Sequence, residues 1–128
     1  MRSMIVKRSA SGFVETTRSL VEAIERRGLT LFARIDHAAA AREVGLELAD
    51  EEVLLFGSPR SGTPLMQSDR RIGIELPLRM LAWRDGGDVL LGYSDPLDLS
   101  GSYDVARHRP TLEQMTTLLE ELAAEAAS

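Results

Sequence analysis

The strands that this chain predicts carry more apolar residues than one sheet face can hide. Val53, Leu54, Leu55 and Phe56 are consecutive, so both sides of the pleat are apolar there. Leu78, Met80 and Ala82 alternate with Leu81 and Trp83, and Val89, Leu90, Leu91 and Tyr93 repeat the theme. A sheet covered on one side only should turn polar at every second position. Both faces therefore need cover. Large apolar patches are rare on soluble monomers, and a two-fold dimer is the commonest way to remove one. The pattern predicts a homodimer, with short helical stretches near Ala38 and near Leu65 and Met66 covering part of the second face. The plainer alternative is that loops alone complete the core.

The rest of the pattern places two long helices against that sheet. Residues 5–10 read as a first strand and 12–27 as a helix, with Phe13, Thr17, Leu20 and Ile24 on one face. At roughly 100° per residue these four fall within an arc of about 60°. Gly28 sits where a left-handed cap is expected. Residues 29–35 read as a strand, and Asp36 is placed to cap a short alanine-rich helix over 37–44, which Gly45 ends. Strands follow over 53–56, 78–84 and 89–94, the last two joined by Asp85-Gly86-Gly87-Asp88, a turn of hairpin type. Residues 57–64 read as a loop leading to a short turn over 64–67, and 97–108 as polar and irregular. Thr111 with Gln114 has the form of a capping box for a final helix with a stripe of Leu112, Met115, Leu119 and Leu122. The order is strand, helix, four strands, helix. It predicts an α+β fold: a two-layer β-α-β(4)-α arrangement with a mainly antiparallel sheet and its helices on one face.

Composition removes several classes of function. With 128 residues, one domain over 1–128 is expected, large enough to bury a core without staples. Cysteine is absent, which excludes a disulfide framework, a thiolate metal site and a cysteine nucleophile, and fits a reducing compartment. Lys and Arg number 15 against 20 Asp and Glu, for a net charge of −5, and no basic stripe suits nucleic acid. No stretch approaches the roughly 18 apolar residues of a membrane helix. The basic start, Met1-Arg2-Ser3-Met4, lacks the apolar core of a signal peptide. A cytoplasmic protein with neither membrane nor nucleic-acid partner is expected.

Two places carry candidate chemistry. Asp36-His37 stands at a strand-to-helix junction, where the helix dipole favours a neutral imidazole and an anionic ligand. The plainer reading is that Asp36 caps the helix while His37 fills its first turn. In the segment from Gly57 to Thr63, a Gly-x4-Gly spacing suggests a phosphate loop. However, Thr63 stands where the phosphate-binding lysine belongs, and Pro64 where the magnesium-binding hydroxyl belongs, so a nucleotide triphosphatase is excluded. What survives is a small anion nest of Arg60, Ser61, Gly62 and Thr63. The two histidines, His37 and His108, lack ligand spacing, so no metal and no cofactor is expected. Trp83 and Tyr93 lie on neighbouring strands and can line a pocket, an interface or the core.

Three blocks carry a family resemblance. They are Phe32-Ala33-Arg34-Ile35-Asp36-His37 with Ala41 and Gly45-Leu46; Leu55-Phe56-Gly57-Ser58-Pro59-Arg60-Ser61-Gly62-Thr63-Pro64-Leu65-Met66-Gln67; and Gly73-Ile74-Glu75-Leu76-Pro77-Leu78 with Trp83 and Tyr93-Ser94-Asp95-Pro96. Together the chain resembles the domain-of-unknown-function 302 family across nearly its whole length. Ser58 stands where that family usually has asparagine, and either residue can bond its own backbone in a turn. The resemblance implies a TATA-binding-protein-like β-α-β(4)-α fold, which by itself implies no DNA binding, and it supplies no catalytic residues to carry over. The function expected is a homodimeric module for a small polar or anionic ligand. Its site would lie between Asp36-His37, the Gly57–Thr63 segment and the sheet face carrying Tyr93. The alternatives are an enzyme using His37 as general base, oriented by Asp36, Asp95 or Glu75, or an accessory module that works through its sheet face.

Overall fold

The computed structural model describes residues 4–128; the Met1-Arg2-Ser3 part of the basic start lies outside them. Five strands, β1 (Met4–Arg8), β2 (Thr30–Asp36), β3 (Glu51–Gly57), β4 (Leu78–Asp85) and β5 (Asp88–Ser94), form one sheet in the order β1-β5-β4-β3-β2. All four pairings are antiparallel. The tight turn between β4 and β5 pairs Asp85 with Asp88, and Gly86 at φ +60 supplies the left-handed residue that such a hairpin needs. The expected α+β fold is present.

Two long helices, α1 (Phe13–Arg26) and α4 (Arg109–Ala127), pack together on one face. Their apolar stripes supply Leu20, Ala23, Ile24, Leu112, Leu119 and Leu122, all buried. The sheet answers with Leu54 and Phe56 from β3, Met80 and Ala82 from β4, and Leu91 and Tyr93 from β5. Arg27 of α1's end reaches Glu121 and Glu125 of α4, at 3.1 and 2.6 Å. Gly28, at φ +69, then turns the chain into β2.

The other sheet face is apolar and largely open. Val53, Leu55, Leu81, Trp83 and Leu90 are half-buried on it. Val6 and Ile35 stand there at 50% and 43% exposure. α2 (His37–Glu43) packs on β3 and buries Ala38 outside the main core. Leu65 does not join this face: it is fully buried in the helix-side core.

Three local expectations are corrected. The segment read as a loop over 57–64 is the start of a ten-residue helix, α3 (Pro59–Ser68), because Ser58 caps it and Pro59 suits its first turn. The final helix begins at Arg109 rather than at a Thr111 cap, again with a proline, Pro110, in its first turn. The stretch 97–108 holds two 3-10 turns, Pro96–Gly101 and Ala106–His108, and a further such turn runs over Arg70–Glu75. No helix is long and apolar enough to cross a membrane among the described residues.

Candidate functional site

A cleft of about 230 Å³ opens where β3 ends and α3 begins. Gly57, the last residue of β3, forms its back, and Ser58, Pro59, Gly62, Thr63 and Met66 bring in the first two turns of α3. The facing wall is Gly73 and the Leu76-Pro77-Leu78 link, whose Leu76-Pro77 peptide is cis. A Cβ at Gly62 would stand 3.5 Å from Leu76 Cδ1, an ordinary contact, so the two walls already touch across this position.

Phe32 completes the cleft through a β-bulge. Leu31 pairs with Phe56 and Ala33 with Leu55, so Phe32 is the extra residue of β2. Bulges of this kind re-aim a side chain. The ring is 53% exposed and forms part of the lining. The same shift puts Arg34 on the helix side, where its guanidinium pairs with Glu52.

The wall carrying Gly73 is tied down from below. Asp69 caps the Arg70–Glu75 turn, accepting from the Arg71 N–H at 3.1 Å and from its guanidinium at 3.1 and 2.9 Å. It also accepts from the Asp104 N–H at 3.0 Å, while Ser68 donates to the Asp104 carbonyl at 2.7 Å. The Arg71 guanidinium, and then the Asp104 N–H, hold the Asp69 carboxyl well below the usual carboxylate range. Arg71 lies 5.8 Å over the Tyr103 ring, and the Tyr103 hydroxyl donates to Glu75 at 2.7 Å.

Among the described residues, no titratable side chain lines the cleft. It offers the hydroxyls of Ser58 and Thr63, a thioether, two proline rings and a phenyl ring. Such a surface can bind and orient a ligand.

Of the residues expected from sequence, Gly62 and Thr63 are in the cleft; Arg60, Ser61, Tyr93, Asp36 and His37 are not among its lining. The N–H groups of Ser61 and Gly62 donate to the Ser58 carbonyl at 3.0 and 3.1 Å, so they close the first turn of α3. Arg60 donates its own N–H to the Ser58 hydroxyl oxygen at 3.3 Å. Asp36 accepts from the Ala39 N–H at 2.8 Å and caps α2; His37 is half-buried. Tyr93 is 4% exposed beneath the helices, and burial, then the charges of Glu120 and Asp95, push its hydroxyl up. Phe32, Met66 and the Leu76-Pro77 wall were not among the expected site residues, although all four stand in the blocks that carry the family resemblance. Among the described residues, no three His, Cys, Asp or Glu side chains come together as a metal would require.

Comparison with known proteins places this geometry in a family. A crystal structure titled as an uncharacterized conserved protein DUF302 from Bacillus stearothermophilus matches with a TM-score of 0.74 at 18% identity, covering 97% of this chain and 94% of that one. That likeness concerns the fold. Fluoride-specific ion channel FluC 1 of Brucella suis biovar 1 is 47% identical over an alignment of 91 residues that covers 65% of this chain and 36% of that protein. Fluoride-specific ion channel FluC 1 of Brucella abortus biovar 1 is equally identical, with 34% of its length matched. The chain thus spans about a third of the length of these relatives. The three blocks that carried the sequence resemblance all meet in the cleft, through Phe32, through Gly57 to Met66, and through Gly73 to Leu78. Residues 5–123 match the family described as Domain of unknown function DUF302, and the chain belongs to it.

Proposed function

We propose that this chain is a binding module whose cleft beside Phe32 holds a small, mostly apolar ligand with one polar end. The observation that carries the reading is the lining itself: apolar walls, two hydroxyls and no ionisable group. The expected polar or anionic ligand becomes a compact apolar body whose polar end meets Ser58 and Thr63. The lining also weighs against the enzyme reading, since His37 is not part of it. The test is a thermal-shift and ligand-observed NMR screen with benzyl alcohol, cyclohexanol and benzoate as probes. Saturating ligand should raise the midpoint. Phe32→Ala, a change at a half-exposed ring, should abolish the gain while leaving the fold intact. No stabilisation by any probe at millimolar concentration sinks the reading.

The open apolar sheet face supports a homodimer in which a second copy covers Val6, Ile35, Leu81 and Trp83.

The Brucella relatives favour a second reading of context. They are named as fluoride-specific ion channels, and the shared segment is about a third of each. No helix of this chain is long and apolar enough to cross a membrane among the described residues. This supports an accessory module that works beside an ion channel rather than as its pore. Co-purification of this chain with a fluoride channel of the same organism, and a change in fluoride efflux when this chain is removed, would support it. Unchanged efflux together with no association would overturn it.

A further inference from the structure

A second cavity, of about 170 Å³, lies at the end of β4 and β5 and shares only Leu78 with the cleft. Leu78, Leu99 and Leu119 give it an apolar floor. Arg79, Ser94 and Asp95 supply polar groups to it. Continued two residues beyond the Leu81–Gly92 pair, the register sets Arg79 opposite Ser94, so adjacent strands present them together. Glu75 also lines the cavity, but its carboxylate is already engaged by Tyr103.

Beside Glu75, which keeps its negative charge, stand two charges of opposite sign, and Asp95 is held in place. Asp95 is held by one oxygen, which accepts from the Leu97 N–H at 3.0 Å and the Thr116 hydroxyl at 2.7 Å. Its other oxygen takes no part in those bonds. Arg79 makes one long hydrogen bond, 3.5 Å to the Ile74 carbonyl, and stands in no ion pair with another described residue. A surface arginine without a partner is ordinary. An arginine and a pre-positioned carboxylate that share one concave site without neutralising each other are a matched pair of sockets.

We propose that this cavity binds a small zwitterion of the α-amino acid type. The ligand carboxylate meets the planar fork of Arg79, which suits two parallel bonds. Its ammonium group donates to the free oxygen of Asp95 and to the Ser94 hydroxyl. A short apolar side chain rests on Leu99 and Leu119. The volume keeps the ligand small, well below the roughly 300 Å³ of pockets for drug-sized molecules. Asp95 is already oriented, so binding need not order it.

The experiment titrates glycine, L-alanine and L-valine into the intact protein, with propionate and ethylamine as singly charged controls at equal ionic strength. Amide NMR shifts and the thermal midpoint are read. The zwitterions should move the amides of Arg79, Ser94 and Leu97 and raise the midpoint, while the controls at the same concentration should not. Arg79→Gln should weaken binding by about tenfold or more, and Ser94→Ala should weaken it less. Absence of any response up to about 10 mM, equal responses to the controls, or unchanged affinity in Arg79→Gln overturns the proposal. Benzyl alcohol binding in the other cleft is unaffected by either result, so the two sites fail or stand separately.

Discussion

The Asp69 carboxylate holds Arg71 by its backbone N–H and by two guanidinium nitrogens at once, and so anchors the wall of the cleft that carries Gly73. Those bonds favour the charged carboxylate and depress its folded-state pKa from the ordinary 3.8. Stability from this source is therefore complete above that ordinary value and is lost as pH falls through the folded one. Asp69→Asn should lower the thermal midpoint by a few degrees at pH 7, and the gap to the parent should narrow as pH drops below about 4. Melting curves across that range check it; a gap that stays constant contradicts the assignment.

Gly92 sits under two side chains. A Cβ at this position would lie 2.7 Å from Met4 Sδ and 3.0 Å from Trp83 Cζ3. The exposed thioether can swing aside, whereas the indole must shift with its strand. Gly92→Ala should cost about 1–3 kcal/mol in urea unfolding. Combining it with Met4→Ala should recover part of that loss. Faster amide exchange in β1 than in β3 is the expected signature.

Leu65 is the only fully buried residue of α3. Leu65→Ala should remove about 2–5 kcal/mol of stability. The same variant should weaken benzyl alcohol binding, because α3 supplies one side of the cleft. A loss below about 1 kcal/mol would mean that α3 is held mainly by its cap rather than by the core.

The uncovered sheet face makes a prediction about mass. Light scattering should give twice the 14.1 kDa of one chain. The double change Val6→Lys and Ile35→Lys should return the single-chain mass, since both side chains are exposed on that face. The parent's midpoint should also rise with protein concentration, as it does for linked association. A parent that stays at 14.1 kDa when concentrated removes the homodimer.

The layers of this fold were legible because they follow from periodicity. The stripes of α1 and α4 and the doubly apolar runs in β3, β4 and β5 each have a repeat that the residues state directly. Asp36 as a cap was legible for the same local reason, and its side chain is on the Ala39 N–H. The start of α3 was not. Gly57-Ser58-Pro59 reads as a loop, yet Ser58 caps the helix, Pro59 opens its first turn and Leu65 ties it to the core. The candidate site was half legible: Gly62 and Thr63 stand in it. Phe32 reaches it through a register shift, and Leu76 and Pro77 reach it across the long link from α3 to β4. Neither event is written in a window of neighbouring residues.

The sheet order has a consequence for synthesis on the ribosome. β1 is made before the other four strands, yet among the described residues it pairs with β5 alone, with Met4 opposite Ser94. β2, on the far border, meets β3 soon after it emerges. This strand must therefore wait for that partner until residues 9–94 have followed it. Ring closure over so many links is slow, so a nascent chain halted before β5 should expose its leading segment to proteases while the β2–β3 ladder already resists them.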